Sequence, residues 1–174
     1  MYLISIYFDE KTNRRIQQYI DKVAEKTGNT YMLDGNVPPH ITVSAFETQN
    51  EESVIEVLDS LVHKLQKGSL TWASVGQFFP YVIYMTPVLN AYLHGMAESI
   101  HDALSSVARV QVNTHYMPFQ WMPHTTIAKK LSKEQMKTAF EVLQDSFGMF
   151  EGEVVKIGLA KPNPHRDIAT WELR

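Results

Sequence analysis

Two short runs of the chain place the same residue types in the same order. Residues 38–43 read Pro-Pro-His-Ile-Thr-Val and residues 123–127 read Pro-His-Thr-Thr-Ile, with His40 and His124 separated by 84 positions (124 − 40). Each run has proline before the histidine, threonine two places after it, and an aliphatic residue next. None of the remaining histidines has Ser or Thr two places on. An imidazole with its ordinary pKa near ~6.5 can give or take a proton near neutrality. Two of them on opposite sides of a phosphorus atom supply what in-line opening of a cyclic phosphodiester by water requires. One acts as base for the water and the other as acid for the leaving oxygen. The threonine hydroxyls can donate to the non-bridging oxygens as charge shifts, and no metal is needed. The competing reading is two structural strand starts. The shared proline, threonine and aliphatic positions favour catalysis.

Strands must carry these runs. Successive strand side chains point to opposite faces, so regular alternation groups His40, Thr42, Ser44 and Phe46, with Ile41 and Val43 opposite. His124 and Thr126 share a face in the same way, with Ile127 behind. Ser44 and Phe46 are therefore expected on the substrate side, Phe46 as a ring on which a base can stack. Strands are predicted at residues 2–8, 40–46, 70–78, 82–85, 124–130, 154–160 and 168–173. Apolar residues at helical spacing predict helices at 10–26, 54–65, 89–107 and 135–147, the first ending at Gly28. The turn 161–164 separates the last two strands.

The order of elements repeats. Thr48-Gln49-Asn50-Glu51 and Ser132-Lys133-Glu134-Gln135 both have capping-box form, each beginning eight residues after its histidine. Val75-Gly76 with Pro80 is echoed by Ile157-Gly158 with Pro162, an offset of 82 (158 − 76). The pattern reads as a duplication with halves of roughly 1–86 and 87–174. Related lobes about a pseudo-twofold axis would let the two His/Thr pairs confront each other.

At 174 residues, 44% hydrophobic and 20% charged, the chain fits one globular domain. A net charge of −3 argues against extended duplex nucleic acid as a partner, though not against one nucleotide or RNA end. Absence of cysteine excludes disulfides and thiolate chemistry and fits the cytoplasm. The apolar start breaks at Asp9 with no basic leader, so it reads as a strand rather than a signal or membrane segment.

His40-Ile41-Thr42-Val43 and His124-Thr125-Thr126-Ile127 resemble the paired motifs of the 2H phosphoesterase superfamily, within it the bacterial 2′-5′ RNA ligase-like and cyclic phosphodiesterase group. The resemblance implies an α+β, bilobal fold with two antiparallel sheets lining a central cleft and helices packed outside. It implies metal-independent action on 2′,3′-cyclic phosphates or 2′-5′ linkages, with no cofactor. By motif, His40 would be the acid, His124 the base, and Thr42 and Thr126 the phosphate binders. Many relatives resemble His-x-Thr-Leu-Ala-Arg at the second motif, whereas Lys129 stands at the last position here. Lysine keeps the charge but loses the planar fork. Strict alternation favours Lys130 for the face of His124, so Lys129 and Lys130 are both phosphate-binding candidates. Relatives often carry a basic residue where this chain has Ser44.

Other residues carry weaker signals. Trp121, with Tyr116 and Phe119, fits a cleft wall or, more simply, a buried anchor. Lys161, His165 and Arg166 read as a solvated turn. His94 and His101 lack a third ligand at metal spacing. The expected protein is a monomeric cytoplasmic phosphodiesterase acting on a small cyclic-phosphate nucleotide or an RNA end, with a 2′-phosphate product. The alternatives are a 2′-5′ RNA ligase or phosphodiesterase, and a non-catalytic module that binds nucleotides or RNA ends.

Overall fold

The computed structural model describes residues 1–162 and 164–174. Asn163, in the predicted turn 161–164, lies outside the described residues. Among the described residues the chain forms β1 (Tyr2–Phe8), α1 (Glu10–Thr27), α2 (Tyr31–Asp34), β2 (His40–Glu47), α3 (Glu51–Val62), β3 (Gly68–Phe78) and β4 (Val82–Pro87). There follow α4 (Ala91–Ser105), β5 (Gln111–Val112), a single 3₁₀ turn (Thr114–Tyr116), β6 (Thr125–Ala128), α5 (Lys133–Ser146), β7 (Phe150–Pro162) and β8 (His165–Glu172).

Local chemistry sets the helix ends. The Asp9 carboxylate accepts the Thr12 amide at 2.7 Å to start α1, and Gly28, at φ 71°, closes it in the left-handed conformation that glycine adopts without penalty. Ser132 and Gln135 form the predicted reciprocal box at the start of α5. The matching box at α3 does not form. Asn50 occupies the N-cap without a side-chain bond, Thr48 Oγ1 accepts the Asn50 amide, and the Glu51 carboxylate is drawn 3.0 Å from Lys161. Helix α3 therefore begins three residues before the apolar stripe, and it ends by tightening through Leu61–Lys64 and Val62–Leu65 turns.

All strands join one antiparallel sheet in the order β5-β2-β1-β7-β3-β4-β6, with β8 also on β7. The two expected sheets are arms of this one ladder. The His40 strand β2 pairs with β1, which pairs with β7; the His124 strand β6 pairs with β4, which pairs with β3. The arms meet where Gly68–Trp72 of β3 pairs with Phe150–Val154 of β7. Each arm thus takes its third strand from beyond the other arm's motif. Although β2 and β6 lie near opposite ends of the order, the sheet coils until they touch. Helices α1 and α5 pack together over β4, β6 and β7, while α3 and α4 pack together over β2, β3 and β8. Fully buried Ile4, Ile6, Ile41, Ile83 and Met85 of the sheet meet Ile16, Leu58, Leu93 and Ile100 of the helices. Among the described residues, no helix is long and apolar enough to cross a membrane.

One irregularity recurs in both arms and overturns part of the sequence reading. On β2, Thr42 faces Ser5 and Ser44 faces Ile4, leaving Val43 as an extra residue; on β6, Thr126 faces Tyr84 and Ala128 faces Ile83, leaving Ile127 extra. Each motif therefore ends in a β-bulge, and a bulge reverses the alternation beyond it. Ser44 and Phe46 consequently lie on the core face and not in the cleft. Phe46 is 1% exposed and stacks on Tyr2 at 5.6 Å, and Ser44 Oγ is buried without a hydrogen-bond partner among the described residues. Neither can be a substrate-side residue. The aliphatic fourth position of both motifs is also explained, since Val43 and Ile127 are 1% and 0% exposed and fill the core at the bulge.

Candidate functional site

Both motif histidines are held in the same way. His40 Nδ1 lies 2.8 Å from the Pro38 carbonyl, and His124 Nδ1 lies 3.0 Å from the Met122 carbonyl, in each case two residues upstream. A carbonyl only accepts, so each Nδ1 carries the proton and donates it. That fixes the tautomer: the free Nε2 is a lone pair when the ring is neutral and a proton donor when it is charged. The prolines now acquire a role. Proline at 39 and 123 restricts the preceding residue to extended conformations, and that residue owns the accepting carbonyl.

Burial disfavours the charged form of both rings in the free protein. Burial pushes His40 below the ordinary imidazole value; the Pro38 carbonyl counters this, while charge on nearby His165 and His124 adds to the depression. Burial likewise lowers His124, against the opposing pull of the Met122 carbonyl. Two consequences are measurable. The pH profile of kcat/KM reports the free enzyme and should peak below about pH 6.5. A bound phosphate anion favours imidazolium, so the kcat profile should lie at higher pH; a kcat/KM maximum at pH 7 or above would contradict the depressed values. Stability should also fall as pH drops below ~6.5, because there the unfolded chain takes up protons that the folded histidines resist.

The threonines follow the histidines onto the cleft side. Thr42 Oγ1 lies 3.4 Å from Ser5 Oγ, its register partner on β1, and Thr126 faces Tyr84 on β4. Three side chains fix the motif strands. Trp121 donates from its indole to the Thr42 carbonyl at 3.0 Å and so ties the approach to the second motif onto the first. Trp72 donates to Thr125 Oγ1 at 3.3 Å, and Thr86 Oγ1 donates to the Pro123 carbonyl at 2.9 Å. Trp121 is 8% exposed, the buried anchor of the simpler reading.

Each histidine also leans on aromatic rings that sequence reasoning missed. Tyr7 lies 6.0 Å from His40, while Tyr84 and Phe78 lie 5.4 and 4.8 Å from His124. A Cβ on Gly158 would sit 2.8 Å from the Tyr7 ring, and one on Gly76 would sit 2.6 Å from the Tyr84 ring. The Val75-Gly76 and Ile157-Gly158 echo is therefore a signal for these tyrosines, because glycine is what lets a ring lie across the third strand. We expect Gly76→Ala to cost about 1–3 kcal/mol by overpacking and to displace Tyr84 from His124. Denaturant melts and the ring resonances of His124 would show it; a variant with unchanged stability and spectra would refute the contact.

The candidate lysines separate. Lys130, at φ 59°, sets its ammonium 4.5 Å over the Tyr31 ring, so its charge is committed there rather than to the cleft. After the bulge Ala128 takes the core face as Ser44 does, and Lys129 follows it as an exposed residue just beyond the end of β6. Lys161 is bound to Glu51 and lies 4.7 Å over Tyr2, away from the histidines. His165 is more than a solvated turn: it lies near His40 and is bonded to Asp167 at 3.1 Å. His94 sits beside Glu98 and Phe119, and no group of three metal-ligating side chains forms among the described residues.

Two proline-set histidines near enough to feel each other's charge, each with a threonine two places on, match the paired motifs of a 2H phosphoesterase. Residues 12–166 match the family described as the 2′-5′ RNA ligase superfamily, and the chain belongs to that family. Solved structures share the fold at low identity. E. coli LigT complexed with 3′-AMP superposes with a TM-score of 0.65 at 13% identity, covering 99% of this chain and 97% of that one. A structure described only as a phosphoesterase gives a TM-score of 0.64 at 14% identity, with the same coverages of 99% and 97%. TT0787 of Thermus thermophilus gives 0.60 at 15% identity, again covering 99% and 97%. No curated protein matches the chain in sequence.

Proposed function

We propose that this 2H phosphoesterase hydrolyses 2′,3′-cyclic phosphates on nucleotides or RNA ends, leaving a 2′-phosphate. The observation that carries the reading is the matched pair of Nδ1–carbonyl bonds, which leaves two Nε2 atoms free for proton transfer in one cleft. One neutral imidazole takes a proton from water as its oxygen attacks phosphorus. The P–O3′ bond breaks on the far side, and O3′ takes the proton of the second, charged imidazole. Thr42 and Thr126 donate to the non-bridging oxygens, and Lys129 offsets their charge. Family resemblance gives His124 the base role and His40 the acid role. Because the two rings are held alike, the pair can exchange roles when the reaction runs backward, as 2′-5′ joining would require.

E. coli LigT has been crystallised with 3′-AMP, ATP, NADP⁺ and phosphate, which supports a small-nucleotide substrate for this cleft as well. The test is turnover of nucleoside 2′,3′-cyclic monophosphates in excess chelator, with the product isomer identified. Chelator-resistant formation of the 2′-phosphate is expected. Absence of turnover on these substrates, with cleavage of 2′-5′ linked RNA instead, would transfer the site to the ligase-type reading.

A further inference from the structure

Strand β8 breaks the symmetry between the two arms. It pairs with the outer half of β7, whereas β3, the counterpart of β7, pairs with β4 and β7 alone among the described residues. Side chains directly opposite each other in a sheet share a face. Thr42 stands opposite Ser5, Ser5 opposite Gly158, and Gly158 opposite Thr170. A Cβ on Gly158 would accordingly meet both the Tyr7 ring at 2.8 Å and Thr170 Cγ2 at 3.5 Å. Asp167 stands opposite Ala160, two residues beyond Gly158, and so continues the Thr42 face onto β8. It also borders one hollow with Tyr7 and with Pro38, whose carbonyl holds His40. His165, two residues before Asp167, is bonded to that carboxylate. We propose that His165, oriented by Asp167, is a further phosphate-binding residue, brought to the His40 side of the cleft by a strand that has no counterpart in the other arm. The proposal rests on the phosphoesterase reading above and adds a cationic group that the paired motifs do not supply.

The His165 ring is held the opposite way round from the two motif histidines. Its Nε2–H donates to the Asp167 carboxylate at 3.1 Å, which leaves Nδ1 as the free nitrogen. In His40 and His124 it is Nδ1 that is tied and Nε2 that is free. When the His165 ring is charged, Asp167 balances it from one side and the Nδ1–H becomes a charge-assisted donor for a phosphate oxygen. That charge reaches the motif, since it acts on His40, and Asp167 acts on Tyr7, whose ring lies 6.0 Å from His40. This side of the cleft also needs a cation. Asp9, Glu10 and Glu172 border the same hollow, and Lys156 there is paired with Glu172 at 3.2 Å. Arg166 and Lys161, opposite each other on the hairpin, both act on Glu51 instead. An anion brought to His40 therefore meets carboxylates on this flank, and His165 is the group placed to offset them.

The experiment titrates inorganic phosphate into the full chain while the imidazole resonances are followed by NMR. The rings of His40, His124 and His165 should shift together, with one Kd. His165→Gln keeps a donor but no charge. It should weaken phosphate binding about tenfold or more, the worth of one charge-assisted bond. It should also raise the pH at which His40 titrates, because a positive neighbour is gone. Asp167→Asn separates orientation from overall charge. Loss of a carboxylate beside an anion site strengthens binding if net charge alone counts, whereas loss of the orienting partner should weaken it. The two side chains are 25% and 61% exposed, so both variants should fold, and melting curves check that they do. A His165 ring that ignores phosphate, unchanged affinity in His165→Gln, or tighter binding in Asp167→Asn would each overturn the proposal. Turnover of cyclic phosphates by the wild type would leave the phosphoesterase reading intact in all three cases. Phosphate binding that depends on His165, in a protein that hydrolyses no cyclic phosphate, would uphold the ligand and overturn that reading instead.

Discussion

Replacing His40 or His124 by alanine should each lower kcat on nucleoside 2′,3′-cyclic phosphates by about 10²–10⁴-fold, the usual worth of a positioned acid or base. The double variant should lose little more than either single one, because the two imidazoles serve one proton circuit. KM should change much less, since the groups proposed to hold phosphate, Thr42, Thr126 and Lys129, remain. Proper folding of each variant is checked by its melting curve, and removing a half-buried ring that resists charge should flatten the acid side of the stability profile. Asparagine in place of either histidine can still donate to the Pro38 or Met122 carbonyl but transfers no proton. A His40→Asn or His124→Asn enzyme that kept wild-type turnover would remove the two-histidine mechanism.

The largest loss of stability is expected at Trp72. It is fully buried, stacked on Phe150 at 5.0 Å and set edge-on to Phe8 at 4.9 Å. It is also the residue at which β3 changes partner, paired with Phe150 of β7 and with Pro87 of β4. Trp72→Ala would therefore leave a cavity at the junction of the two arms and orphan the Thr125 hydroxyl next to His124. The expected cost is about 3–5 kcal/mol, or a fall of roughly 10 °C in Tm for a chain of this size. Trp72→Phe keeps most of the packing and should cost less, the remainder reflecting the lost bond to Thr125. A drop of under 1 kcal/mol for the alanine variant would show that the junction does not depend on this ring.

Much of the site is legible in the chain because it depends on short-range rules. The His-x-Thr runs, the Gly28 stop and the Ser132 box each follow from a few adjacent residues, and all take their expected local form. Phe46 and Ser44 fall on the unexpected face because a bulge is decided by pairing with β1, some forty residues earlier, and Val43 looks like any strand valine. The predicted Thr48 cap fails for a related reason, since Glu51 finds a stronger partner in Lys161 across more than a hundred residues. Tyr7 and Tyr84 are within reach of sequence reasoning. Glycine at matching positions in the two third strands asks what large side chain lies over it, and tyrosines on the neighbouring strands are the answer.

The exchange of β3 and β7 bears on how the protein is made. A chain leaving the ribosome can pair β1 with β2 early, but β7, which flanks β1 on its other side, ends at Pro162. The arm that carries His40 thus waits for nearly the whole polypeptide, and until then β1 offers an open edge to any extended segment nearby. Such long-range pairing slows folding and lengthens exposure to misassembly. It also means that the arms carrying His40 and His124 are joined through the sheet only once β7 is available to pair with both β1 and β3, so a product terminated before β7 lacks that junction.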